Sequence, residues 1–282
     1  MNSFGKTSRL YVKTALNSVK ETYIADSFFT SPFKIMKPFK KDDGGLTVYI
    51  QTASAGLMEG DEQEQYFNVG EGSSLELLSL SFEKIFKAEN RGFASRKVNA
   101  NVSRNAELIY TPLPCMPFSG SAFKSSISID LEDASSRLIF SDCICSGRKA
   151  HGEMFDYRYY RNLLQVKCAG HLVYSDNTFF EGSDSLLYPE KKALMQSIHM
   201  YGNYSHLGTL LAFGYSLDKE KLCQSLGIEE KLLYAEGYET DCQKPLASFT
   251  KTSGGGTSIK VLAQSAEEIQ DIFSAVKKSI SL

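Results

Sequence analysis

Little in this chain belongs to the kinds of residue that ordinarily carry metal or nucleophilic chemistry. Four histidines and six cysteines are spread over 282 residues, and none falls in a Cys-x-x-Cys or His-x-x-x-His spacing. A structural zinc site therefore has no sequence support. No Gly-x-Ser-x-Gly elbow is present, which argues against a serine hydrolase. No apolar run is long enough to cross a bilayer; Leu207–Phe213 is short and is interrupted by Gly208. The first residues, MNSFGKTSRLYVKT, lack the apolar centre of a secretory leader. The few cysteines then read as reduced thiols of a cytoplasmic protein. Positive charge is not in excess: the formal net charge is −2, so no basic face for nucleic acid is expected. Lys40-Lys41 is answered at once by Asp42-Asp43 and reads as a solvated turn. The Gly56–Gly60 loop is followed by Asp61-Glu62. A phosphate cradle would need Gly-Lys-Ser/Thr there, and an acid repels phosphate.

What the chain does have is many short β-forming stretches bounded by turn residues. Strands are expected at Leu46–Thr52, Gln65–Val69, Leu75–Leu80, Ala94–Val102, Glu107–Thr111, Phe123–Leu131, Ser136–Cys145, Met154–Lys167 and His171–Phe180. Before them, Arg9 to Pro38 reads as a hairpin turning at Asn17-Ser18 and an edge strand between Pro32 and Pro38. Turn signals every eight to twelve residues, with no long helix, argue for an all-β sandwich, barrel or solenoid. No fixed-period repeat is visible. Helices are confined to the last third: Pro189–Met200, the short segments Leu217–Leu226 and Ile228–Tyr234, and a final helix opened by Ser265-x-x-Glu268. Strands are expected at Leu246–Lys251 and Thr257–Ala263, joined through Gly254-Gly255-Gly256. The whole of 1–282 reads as one domain, β-rich over 1–182 and mixed over 183–282.

Polar groups gather around one bend, in LIFSDCICSGRKAHGEMF (Leu138 to Phe155). Asp142 lies on the strand before it and Glu153 after it, with Arg148 between them as a bidentate partner for a buried acid. Cys143 and Cys145 share one strand face; two thiolates there suit a soft metal, while a buried free cysteine more often fills a core. His151 sits in the Gly-flanked turn, where an acid–base group or ligand would be accessible. One reading is a metal- or thiol-dependent enzyme centred on Cys143, Cys145 and His151. Another is a β-rich interaction module without catalysis. The three prolines of Thr111–Phe118 predict a stiff, extended crossing.

In order, these pieces resemble the urease accessory proteins of the UreD/UreH family. The family's Gly-Gly-Leu-x-Gly-Gly-Asp loop is matched by Gly56, Leu57, Gly60 and Asp61, with Ala55 and Glu59 where the family has glycines. Leu78–Phe86 resembles its Ser/Thr-rich strand and Lys-Ile-aromatic segment. Leu108–Pro112 and Met116–Phe118 resemble its Leu-Glu-Tyr-x-Pro…Pro-Phe stretch, with Ile109 in place of the usual acid. Asp142, Gly147, Arg148, Ala150, Gly152, Glu153 and Phe155 keep the register of its Gly-Arg-x-Ala-x-Gly-Glu-x-Phe ending. The resemblance implies an elongated, two-layer, β-helix-like fold without catalytic residues, holding no cofactor tightly. It implies a chaperone that joins a UreF-type protein, and through it a UreG-type GTPase carrying nickel, to urease apoprotein. It also implies an internal route for nickel in transit, for which Asp61, Ser79, Ser81, Asp142, Glu153 and Asp176 are the candidate lining residues. Nickel in passage suits carboxylate, imidazole or water contacts that hold it briefly better than a closed thiolate cage.

Overall fold

Alternation of inward apolar and outward polar residues builds nearly every element. The computed structural model describes residues 7–217 and 244–280. In chain order the first strands are β1 (Thr7–Leu16), β2 (Thr22–Phe29), β3 (Phe33–Ile35), β4 (Phe39–Lys40), β5 (Leu46–Thr52) and β6 (Glu62–Val69). Then come β7 (Ser74–Ser79), β8 (Glu83–Ile85), β9 (Ala94–Val102), β10 (Glu107–Thr111), β11 (Cys115–Pro117) and β12 (Ala122–Leu131). The rest are β13 (Arg137–Cys145), β14 (Tyr159–Cys168), β15 (His171–Glu181), β16 (His206–Phe213), β17 (Leu246–Lys251) and β18 (Thr257–Ala263). Helix α1 is Pro189–Met195 and α2 is Ala266–Ile280.

The chain winds back and forth between two facing sheets. One sheet runs β15-β14-β12-β9-β6-β1-β2 and the other β17-β18-β16-β13-β10-β7-β5-β3. Strands β6, β9, β12 and β14 stack in parallel in the first, and β5, β7, β10 and β13 in the second. This gives a β-solenoid-like stack of about four turns, closed at its ends by antiparallel strands. Of the sandwich, barrel and solenoid readings, the last holds, although no sequence repeat announces it. Each turn needs only the period-2 pattern and a glycine- or serine-rich corner, and neither demands identical residues at equivalent positions. The main core lies between the sheets, with Leu10, Phe67, Val98, Ile129, Leu77, Leu108 and Phe140 among its members.

Three expectations are revised. The strand placed at Met154–Lys167 begins only at Tyr159. Phe155 takes φ 56°, outside the strand region. Its N–H is held by the Ser146 carbonyl and its own carbonyl accepts from Ser183. The helix expected over Pro189–Met200 stops at Met195. Leu207–Phe213, considered above only as too short for a membrane span, is the core of strand β16, paired to β13 and β18. Among the described residues no helix is long and apolar enough to cross a membrane. The helical segments expected at Leu217–Leu226 and Ile228–Tyr234 lie essentially outside the described residues.

Helix α2 forms as its pattern predicts. Ile269, Ile272, Phe273 and Val276 are buried against Leu210, Ile259 and Val261 of the second sheet. Glu268 N–H donates to Ser265 Oγ at 3.2 Å, and Glu268 Oε2 accepts from Ser265 N–H at 3.2 Å. That reciprocal pair is a capping box. Ser265→Ala should lower stability by about 1 kcal/mol, read as a shift in the urea midpoint at unchanged slope. An unchanged midpoint would mean that packing alone holds the helix start.

Large apolar side chains left exposed concentrate at the two ends of the stack. Tyr23, Phe28, Phe29 and Phe39 lie on β2 and β4 at one end; Leu172 and Phe179 lie on β15, and Leu194 on α1, at the other.

Candidate functional site

The bend after β13 is a structural lock. Gly147 has φ 132° and Gly152 φ 78°, conformations that glycine alone takes freely. Between them Arg148 grips Glu153 through two hydrogen bonds, Nε to Oε2 at 2.8 Å and a second from Nη2 to Oε1. The guanidinium lies over the Phe118 ring, 4.2 Å from its centre. Arg148 is the main reason that the Glu153 carboxyl sits below its ordinary range. Glu153 is therefore a bound anchor of the bend, as the ion-pair reading of these residues expects.

Asp61 behaves similarly. Its Oδ2 accepts the Met58 N–H at 2.8 Å and closes the glycine-flanked loop. Glu59, one of the departures from the family motif, accepts from Asn90 N–H at 2.8 Å and also from Gly92 N–H. Those bonds, Asn90 first, hold its carboxyl below the usual range. Gly56 brings Leu57 into a bridge with Ile85, and Gly60 donates to Phe93 O at 3.0 Å.

Cys143 and Cys145 are buried free thiols. Burial pushes the Cys143 thiol well up and that of Cys145 to about 12. Cys143 packs against the α2 side of the sheet. His151 is exposed in a short 3-10 turn, Lys149–His151, so the bend does not join it to the thiols as one centre. His206 is buried beside Ser205 Oγ at 2.9 Å; burial, then Lys149, lower its pKa to about 4. Among the described residues no three His, Cys, Asp or Glu side chains are grouped as a metal ion would require.

Asp142 separates from this bend. It faces the space between the sheets, where Oδ2 accepts from Asn162 Nδ2 at 2.8 Å and from the Tyr160 hydroxyl at 3.4 Å. Burial raises its pKa, against the opposing pull of Arg96. A small cleft of about 20 Å³ there is lined by Asp142, Asn162, Asp176, Thr178 and Thr209. Asp176 accepts from Lys260 Nζ at 2.6 Å at its rim. A second cleft of about 40 Å³ is lined by Ser79, Ser81, Glu83, Arg96, Gln65 and Tyr110. Of the six residues singled out in the sequence, Ser79, Ser81, Asp142 and Asp176 thus line two clefts, with Ser81 on the exposed side, whereas Asp61 and Glu153 serve turns.

The residues between the clefts were missed. Across the first sheet the register sets Ser8 beside Gln63, Gln63 beside Arg96, Arg96 beside Ser125, Ser125 beside Asn162, and Asn162 beside Thr178. Apart from Thr178, every member of this row is buried. The neighbouring row, Leu10, Gln65, Val98, Ile127, Leu164, is mostly apolar. A polar ladder thus runs across the strands, along the stacking axis, with one cleft at Arg96 and the other at Asn162 and Thr178. The signal was present in the sequence: the inward positions of β6, β9, β12 and β14 read Q-Q-F-V, A-R-V-A-V, F-S-I-I-L and Y-N-L-V, each polar near its start.

Residues 6–281 match the family model described as UreD urease accessory protein. A urease accessory protein UreH from Helicobacter pylori is 29% identical over 281 residues, covering 100% of this chain and 97% of its own. A urease accessory protein UreD from Acetivibrio thermocellus is 30% identical over 280 residues, covering 98% of each. The UreH of Helicobacter hepaticus is 32% identical over 269 residues, covering 95% and 96%. With its motifs and nearly its whole length accounted for, the chain belongs to the UreD urease accessory protein family.

Proposed function

We propose that this protein is a urease-maturation chaperone that acts by contact and conduction and makes or breaks no bonds. It joins a UreF-type protein, and through it a nickel-carrying UreG-type GTPase, to urease apoprotein in the cytoplasm. Nickel crosses it along the polar ladder between the two sheets. The observation that carries this reading is the ladder itself. Buried polar side chains are costly unless partnered, yet here they are lined up end to end and open into one cleft at Arg96 and another at Asn162. Ser79 and Ser81 at one cleft, and Asp142, Asp176 and Thr209 at the other, are oxygen donors of the kind that hold a borderline divalent ion briefly. The exposed apolar groups at the two ends of the stack suit a scaffold with a partner on each side.

The test is a plug. Thr209 is buried, stands opposite Asp142 on the neighbouring strand and lines the cleft. Thr209→Leu would fill that cleft with methyl groups. When the variant is co-expressed with urease and its accessory proteins, the accessory complex should still co-purify. Urease nickel content and activity should drop several-fold. Full nickel loading by a folded Thr209→Leu chain would overturn conduction, and loss of co-purification by the unaltered chain would overturn the scaffold.

A further inference from the structure

Arg96 sits at the middle of the ladder, and a guanidinium is an unexpected occupant of a cation path. It projects inward from β9 with a relative exposure of 6%. Its Nε has no hydrogen-bond partner, and among the described residues no carboxylate lies within salt-bridge distance of it. One wall is the Phe123 ring, 5.5 Å from the guanidinium carbon. Burial works against its charge, and the surrounding Tyr110 and Asp142 more than offset that. The two side chains flanking it in the ladder are unpartnered too: Gln63 through both its amide nitrogen and oxygen, and Ser125 through its hydroxyl. Both are more deeply buried than Arg96, at 2% and 5% exposure.

Three buried polar side chains thus stand side by side on adjacent strands roughly 4.8 Å apart, with Arg96 Nε, the Gln63 amide and the Ser125 hydroxyl all unpartnered. We infer that the Arg96 chamber is an anion site that holds one planar, singly charged oxyanion of about the size of formate. The guanidinium fork offers parallel N–H groups to two oxygens of such an ion, while Gln63 and Ser125 supply donors on either side. The acids nearby set the ligand class. Glu83 shares the adjoining cleft with Arg96, and burial raises its pKa, with Arg96 pulling the other way. Asp142 lies beyond Ser125, hydrogen-bonded to Asn162. A tetrahedral dianion such as sulfate would meet two carboxyls with one compensating charge, so a planar monoanion is favoured. The anion would also cancel the charge that otherwise opposes a divalent ion entering the ladder. The site itself does not require that the ladder carry nickel.

The purified full-length chain, without nickel, is titrated with ¹³C-formate and separately with ¹³C-hydrogencarbonate. Binding is followed by carbon line-broadening and by the ¹⁵Nε shift of Arg96. One saturable site is expected for both ions, with sulfate competing poorly. Arg96→Met should weaken binding about tenfold or more, with Arg96→Lys intermediate. Should Arg96→Met fail to fold, Gln63→Leu keeps the guanidinium and should still weaken binding measurably. Absence of saturation, binding indifferent to both substitutions, or sulfate binding as well as formate would each overturn the inference. None of these outcomes bears on the Thr209→Leu plug, so the two readings fail separately.

Discussion

Gly147→Ala should remove about 4 kcal/mol or more of stability, enough to lower the thermal midpoint by on the order of 10 °C or to prevent recovery of folded protein. Gly147 sits at φ 132°, where a residue with a Cβ is strained, and the added carbon would overlap the Glu153 carbonyl oxygen. That oxygen belongs to backbone and cannot swing aside. The bend must open, and with it goes the bond from Phe155 N–H to Ser146 O, 2.7 Å. Phe155 is fully buried, edge-on to Tyr201 at 4.9 Å between ring centres, so the loss spreads into the aromatic cluster that seats β14. Gly152, five residues on, is the internal control. Its φ is 78°, but a Cβ there would meet nothing within 4 Å. Gly152→Ala should therefore cost only the left-handed backbone strain, about 1 kcal/mol or roughly 2–4 °C. Paired melting curves settle it. Equal losses for the two variants would mean that the bend is held by conformation alone and that the Gly147–Glu153 approach contributes nothing.

That contrast also separates what was legible in the chain from what was not. The glycines, Arg148 and Glu153 announced a tight bend because turn residues and a matched ion pair act over a few positions. Strands β5, β9, β10, β17 and β18 were legible to the residue for the same reason, since alternation and flanking turns are local. The stacking order was not, because winding between two sheets is decided by which inward faces meet, and no repeat marked it. Strand β16 was hidden because burial on both faces erases the alternation: seven of its eight residues, His206 to Phe213, are buried. Asp142 was read as a partner of Arg148 because the two are close in sequence. In the fold the strand carries Asp142 inward, to Asn162 and Tyr160, while Arg148 turns outward over Phe118. The ladder escaped because it runs across strands. Neighbouring members lie between 16 and 55 residues apart in the sequence, and each alone looks like one polar interruption of an apolar face. Arg96 was the exception that could have been found, since a cation at an inward position of a clean alternating strand asks for an explanation.

If the interior polar row is there for work and not for stability, neutralising its acids should make the chain more stable and less useful. Asp142→Asn and Glu83→Gln are the substitutions to compare. Burial raises the pKa of both acids in the fold, in each case against the pull of Arg96. The folded chain therefore holds these protons more tightly than the unfolded chain does. For such a group stability is greatest at low pH, declines as pH rises through the ordinary carboxylate range, and levels off above the folded pKa. This is opposite in sign to Glu153, whose lowered pKa stabilises the fold above the ordinary carboxylate range and is lost in acid. At neutral pH each neutral isostere should then raise stability by about 1–3 kcal/mol, with the gain vanishing near pH 4. Asn at position 142 can still meet Asn162 and Tyr160, so the gain is not offset by a new unsatisfied group. The same variants should deliver less nickel to urease when co-expressed, because an amide is a poorer ligand than a carboxylate for a divalent ion. Urea titrations at pH 4 and 7, beside the nickel content of co-expressed urease, read both effects. Destabilisation at neutral pH would show Asp142 and Glu83 to be structural counter-charges for Arg96. A stability gain with undiminished nickel delivery would leave the acids without a part in the transfer.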